Sequence, residues 1–178
     1  MKVRLQPHTP AWAAEFARER GRLAAALGDE LLAIEHFGST AVEGLPAKPV
    51  IDVLAVVRDI RCADGLPAAL AALGYTAAGP WGIPGRRLFR KGSAERTHHL
   101  HVYQVGDPDI DRHLVVRDYL RGHADERARY AAQKQELAAA YPDTRAYSPA
   151  KKAYVAALEQ RALAWAQAGR SPSGDDSA

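Results

Sequence analysis

The chain has 178 residues, 47% of them hydrophobic and 25% charged, the balance of one soluble domain with a substantial core. No apolar run approaches the roughly 18 residues that a bilayer span needs, and the N-terminus, MKVRLQPHTPAW, lacks the apolar stretch of a secretory signal. A net charge of +3 suits an anionic small molecule and argues against nucleic acid, while the one cysteine, Cys62, excludes an intramolecular disulfide framework and points to the cytoplasm.

Thr9-Pro10 followed by AWAAEFARERGRLAAAL predicts a capped helix with proline at its first position, ended by Gly28. Trp12, Phe16, Leu23 and Leu27 fall on one broad face of it. Leu31 to Phe37 reads as a short strand running into a Gly38-Ser39-Thr40 turn, and Thr40 to Gly44 as a brief helical turn. Val50 to Val57 is nearly continuous in β-branched residues, which predicts a central strand buried on both faces. Cys62 to Leu73 reads as a helix with Pro67 near its start and Gly74 as its stop, and Cys62 itself as a structural or surface thiol. Gly79 to Gly85 is too rich in Gly and Pro for an element and reads as a loop. Arg87 to Arg90 and His99 to Val105 follow as two strands.

From Asp109 onward the pattern is helical: DIDRHLVVRDYLRGH, then ADERARYAAQKQELAAAY, then a last helix capped by Ser148-Pro149. Gly169 to Ala178 holds no apolar residue larger than alanine or proline and reads as a disordered tail. The expectation is therefore an α+β domain over residues 1–168, with a sheet core over about 30–105 and C-terminal helices over about 109–168.

The residues that carry chemistry cluster around the turn. Gly38 permits positive φ and close backbone approach, and Ser39 and Thr40 add hydroxyls for phosphate oxygens. Asp52 lies inside an apolar run, where a carboxylate is costly unless paired or metal-bound. It holds a metal, or else it pairs with Lys48, Arg90 or a histidine in a structural network. His99 and His101 alternate onto one strand face and His98 onto the other. Near Asp52 the two imidazoles make a metal site, a general-base pair, or a structural or substrate contact. His113, Arg117 and Arg121 share one helix face, with Lys134, Lys151 and Lys152 on later helices. That face is either a solvated, salt-bridged surface or a basic wall for a triphosphate or second anionic substrate.

Together these segments resemble the GrpB family, within the nucleotidyltransferase-fold superfamily. The residues carrying the resemblance are His36-Phe37-Gly38-Ser39-Thr40, Val42, Gly44-Leu45, Lys48-Pro49 and Ile51-Asp52. Downstream they are Thr97 to Val102, His113-Leu114, Arg117 to Arg121, and Tyr130 with Lys134. The resemblance implies a small mixed sheet flanked by helices, with a nucleotide pocket at the Gly-Ser turn. In the superfamily the turn holds phosphates, and carboxylates on the next strand and a later one hold two divalent metals. Gly38 and Ser39 match the turn and Asp52 the first carboxylate; Leu54 departs from the second, and His101 stands where the later strand would carry another.

What this implies is an enzyme that uses an NTP with Mg²⁺ to modify a small cytoplasmic acceptor. Asp52 and His101 would be catalytic, with Asp52 holding the metal. Gly38, Ser39, Thr40, Lys48, His99, Arg117, Arg121 and Lys134 would bind substrate. A nucleotide-binding module without turnover and an acyl or aminoacyl transferase are the alternatives. Family members also occur fused to a dephospho-coenzyme A kinase domain, which points toward coenzyme A metabolism; this chain has no G-x-x-x-x-G-K-[ST] string. Oligomeric state is left open.

Overall fold

The computed structural model describes residues 3–65, 67–93, 95–141 and 143–170. Helix α1 (Ala11–Leu27) begins where Thr9 Oγ1 accepts the Ala11 amide at 3.3 Å. Its apolar stripe buries Trp12, Leu23 and Leu27, as the 3.6-residue spacing predicts. Glu19 lies on the same stripe, is 0% exposed, and was not singled out by its sequence. A buried carboxylate needs donors, and three arrive: Lys91 Nζ at 2.8 Å, Tyr75 OH at 2.9 Å and Arg22 Nη1 at 3.2 Å. Burial alone would raise the Glu19 carboxyl, but the Lys91 and Tyr75 bonds hold it below its ordinary value.

Five strands form one mixed sheet in the order β1-β2-β5-β4-β3. They are β1 (Leu31–Phe37), β2 (Ile51–Val57), β3 (Tyr75–Gly79), β4 (Arg87–Lys91) and β5 (His98–Gln104). β2 pairs antiparallel with β1 and parallel with β5, and β4 pairs antiparallel with β5 and β3. β2 is the buried strand expected from its β-branched run, inside the sheet between β1 and the middle strand β5; Asp52 is its one residue that is not buried.

One sheet face packs Ile34, Val53, Ala55, Leu100 and Val102 against α1 and the short helix α2 (Ala68–Ala72). The other packs Phe37, Leu54, Val56 and Tyr103 against Ile110 and Leu114 of α3 (Pro108–Gly122). Helices α4 (Ala124–Ala140) and α5 (Thr144–Arg170) complete the C-terminal part.

Four expectations need correction. The helix expected over Cys62 to Leu73 is a 3₁₀ turn at Ile60–Ala63 followed by α2. Gly65, at φ 68°, and the extended Pro67 separate the two pieces. Tyr75–Gly79 is a fifth strand that the residue pattern does not announce, because its Ala-Ala-Gly end has no β-branched run and it is held by pairing with β4. The last helix starts at Thr144 rather than Ser148 and carries Pro149 inside it. Asp143 Oδ1 accepts the Arg145 amide at 2.8 Å, and the added turn buries Tyr147. The tail expected from Gly169 overlaps α5, which reaches Arg170, and residues 171–178 lie outside the described residues. No helix among the described residues is long and apolar enough to cross a membrane.

Candidate functional site

Sheet register builds the site. Antiparallel pairing sets Phe37 opposite Asp52, so the chain leaves β1 through Gly38 directly beside the carboxylate. Parallel pairing sets Asp52 opposite His99 and Leu54 opposite His101. Gly38 adopts φ 70°, ψ −169°, a region open essentially to glycine alone. A Cβ there would stand 2.6 Å from Asp52 Oδ2. Turn and carboxylate are therefore one steric unit, and the brief helical turn that follows spans Ser39–Ala41.

Asp52 Oδ1 lies 3.2 Å from His99 Nδ1 and 3.9 Å from His101 Nε2. Burial pushes the Asp52 carboxyl up, yet the two imidazoles outweigh it and hold the group far below the ordinary carboxylate range. His101 is lowered by burial against the opposing pull of Asp52. Its ring meets Phe37 edge-on at 4.9 Å, and its Nδ1 faces Arg86 Nη1 at 3.3 Å. Arg86 is 5% exposed and was not among the predicted site residues. Its place became legible only through the register that sets neighbouring Leu88 opposite His101.

Three lysines lie within electrostatic range of the same carboxylate. Lys48, Lys134 and Lys151 all feel the charge of Asp52. Among the described residues none of the three has a carboxylate within ion-pair distance. Lys48 and Lys151 sit 5.6 and 5.8 Å from the Tyr147 ring centre, and Lys134 sits 5.2 Å from that of Tyr130. Lys134 is 2% exposed, donates to the Pro46 carbonyl, and is pushed down to about 7 by burial and then by Lys151 and Lys48. Among the described residues the Tyr147 hydroxyl, buried there, finds no hydrogen-bond partner. In the sequence Lys151 is only added charge on a later helix; α5 packing brings it within electrostatic range of Asp52.

The arginines of α3 turn to the protein instead. Arg117 donates to Glu35 Oε2 at 2.8 Å, the His36 carbonyl at 3.0 Å and Asp118 Oδ1 at 2.8 Å. Arg121 grips the Ala41 carbonyl through Nε at 3.0 Å and Nη2 at 2.9 Å. His113, on the same expected face, meets the Tyr103 hydroxyl at 2.9 Å. Both arginines thus brace the turn from behind. Thr40 also points inward, its Oγ1 3.0 Å from His36 Nε2, while Ser39 stays half-exposed. Burial lowers His36 to about 4, against the raising pull of Asp52, so it is neutral at pH 7. Behind the turn lies a cleft of about 1520 Å³ lined by His8, His36, Thr40, Arg121 and Arg127 among others; Asp52 is not in its wall.

Asp52, His99 and His101 each bring a ligand atom within 4.8 Å of the others. One carboxylate with two imidazoles is not the oxygen shell that Mg²⁺ demands. Leu54, in place of a second carboxylate, is sealed in the apolar cluster with Phe37, Val56 and Tyr103. Of the three, Asp52 alone offers the oxygen donor that Mg²⁺ takes.

The arrangement has relatives. A sequence model described as GrpB protein matches residues 2–161. UPF0157 protein YqkA of Bacillus subtilis is 42% identical, covering 92% of this chain and 48% of that protein, so the chain spans about half its length. A dephospho-CoA kinase of Mycolicibacterium paratuberculosis is 31% identical over 92% of this chain and 47% of its own length. The crystal structure of conserved protein GrpB from Enterococcus faecalis superposes with a TM-score of 0.87 at 38% identity, covering 92% of this chain and 99% of that one. With the family's sequence pattern matched over most of its length and the fold shared, the chain belongs to the GrpB family.

Proposed function

We propose that the protein is a nucleotidyltransferase-like enzyme that transfers a group from an NTP to a small acceptor in the cytoplasm. The observation that carries this reading is one ionised carboxylate, Asp52, packed against a glycine turn, with three lysines in electrostatic range that have no carboxylate partner among the described residues. Uncompensated ammonium groups around a buried site are expensive, and a polyphosphate would neutralise them. Gly38 lets the backbone close on a phosphate, Ser39 supplies an exposed-side hydroxyl, and the lysines take the distal charge. A Mg²⁺ ion bound to the phosphates would supply charge neutralisation, with Asp52 as its protein ligand. Arg117 and Arg121 hold the turn in the shape this needs. The cleft behind the turn, with His8 and Arg127 in its wall, is the place for an acceptor. The kinship with a dephospho-CoA kinase supports a coenzyme A-related acceptor.

Leu54 favours a second reading, nucleotide binding without turnover, because one carboxylate cannot build a two-metal clamp. Thermal shift and calorimetry with ATP, GTP, CTP and UTP, with and without Mg²⁺, test the proposal. A Mg²⁺-dependent shift for one nucleotide that disappears in Asp52→Asn is expected. Pyrophosphate release with an acceptor then separates transfer from binding alone. A well-folded protein that responds to none of the four nucleotides overturns both readings.

A further inference from the structure

We infer that Arg86 sets the tautomer of His101, so that His101 presents an N–H, rather than a lone pair, toward Asp52 and the ligand oxygen seated beside it. An arginine has donors and no acceptor, so Arg86 Nη1, 3.3 Å from His101 Nδ1, donates to that nitrogen. A neutral imidazole that accepts at Nδ1 carries its proton at Nε2. Among the described residues the buried His101 Nε2 finds no hydrogen-bond partner, and 3.9 Å separates it from Asp52 Oδ1. The donor therefore faces the carboxylate across a gap too long for a bond. A phosphate or acceptor oxygen beside Asp52 would satisfy it.

Arg86 is in no position to swing away. Its Nε and Nη2 donate to the Pro80 carbonyl at 3.2 and 2.9 Å, and Nη2 also to the Trp81 carbonyl at 3.0 Å. Carbonyls of the Gly- and Pro-rich segment Gly79 to Gly85 thus anchor the guanidinium that in turn anchors the histidine. Phe37 fixes the ring from a second side.

This arrangement inverts that of a metal-binding histidine, whose second nitrogen ordinarily donates to a carboxylate or carbonyl. Ligation through Nε2 would require stripping its proton while a guanidinium still occupied Nδ1, or pulling Arg86 off its carbonyls. His101 is thereby a hydrogen-bond donor to the bound oxygen, and Asp52, with His99 beside it, is left as the anionic ligand. Arg86 is a positioning residue, acting through His101. The ligand oxygen in this picture rests on the transferase reading; the tautomer does not.

Nitrogen–proton correlation spectra of ¹⁵N-histidine-labelled protein, recorded without nucleotide from about pH 6 to about 8, read the tautomer directly. His101, assigned by its loss in His101→Gln, is expected protonated at Nε2 and bare at Nδ1, and zinc titration is expected to leave that pattern unchanged. A proton on Nδ1, or stoichiometric zinc ligated through His101 Nε2, would overturn the inference. In Arg86→Met the pattern is expected to become a tautomer mixture, and a folded variant with the wild-type pattern refutes the role of Arg86. If that variant unfolds, the wild-type spectrum still decides the tautomer. His101→Gln, which keeps an N–H near the same place, is expected to retain nucleotide affinity within about threefold, whereas His101→Phe loses roughly tenfold. Equal losses in both would sink the donor role. Absence of nucleotide binding in the wild type would strike the transferase reading alone.

Discussion

Replacing Gly38 by alanine strikes the turn and the carboxylate together. The backbone at φ 70°, ψ −169° belongs to a region that costs an L-residue about 1–3 kcal/mol. The new Cβ would stand 2.6 Å from Asp52 Oδ2, 3.2 Å from its Cβ and 3.3 Å from its Cγ. Ordinary carbon–heavy-atom contact begins near 3.5 Å, so the carboxylate must retreat by about 1 Å. That retreat breaks the 3.2 Å contact with His99 Nδ1, which is partly solvated and is worth less than about 1 kcal/mol. The sum is a loss of about 1–4 kcal/mol, or roughly 2–16 °C in Tm for a chain of this size. Urea unfolding followed by tryptophan fluorescence and circular dichroism measures it, with Ser39→Ala as a control expected within about 0.5 kcal/mol of wild type. Nucleotide affinity should collapse in the glycine variant even well below its Tm. Wild-type stability together with wild-type affinity in Gly38→Ala would refute the claim that turn and carboxylate form one steric unit.

Lys134, lowered to about 7, is less protonated in the folded chain than in the unfolded chain between about pH 7 and 10. The unfolded state then binds more protons, so stability rises with pH across that window, by at most about 1.4 kcal/mol per pH unit. Lys134→Met should remove that component, and nucleotide affinity in the wild type should fall over the same window, because a bound polyanion needs the ammonium form; denaturation and calorimetry at stepped pH would refute this by showing no difference between variant and wild type. Arg121→Ala frees the Ala41 carbonyl and should cost about 1–2 kcal/mol of stability. The salt dependence of nucleotide binding should stay unchanged in that variant, and unchanged stability with a shallower salt slope would instead make Arg121 a phosphate ligand.

Much of the architecture was legible because it rests on local chemistry. Trp12, Leu23 and Leu27 recur at helical spacing, so α1 follows from the order of side chains alone. The β-branched run from Val50 to Val57 is apolar but for Asp52, which places β2 inside the sheet rather than at its edge. Gly38 and Asp52 stood out for the same reason, one by its lack of a side chain and the other by its charge in an apolar strand. His99 and His101 shared a face by the two-residue period of any strand. What the residue order left open was decided by pairing across distance. β3 is a strand because β4 lies beside it, and Glu19 is tolerable inside α1 because Lys91 and Tyr75 reach it from β4 and β3. Arg117 and Arg121 read as candidate phosphate ligands from their shared face, and only α3 packing sets Arg117 on the His36 carbonyl and Arg121 Nε and Nη2 on the Ala41 carbonyl. Lys151 joined the site, and Arg86 took hold of His101, through contacts across long sequence separations. The identity of a side chain sets which bonds it is able to make, and only the fold decides which partner comes within reach.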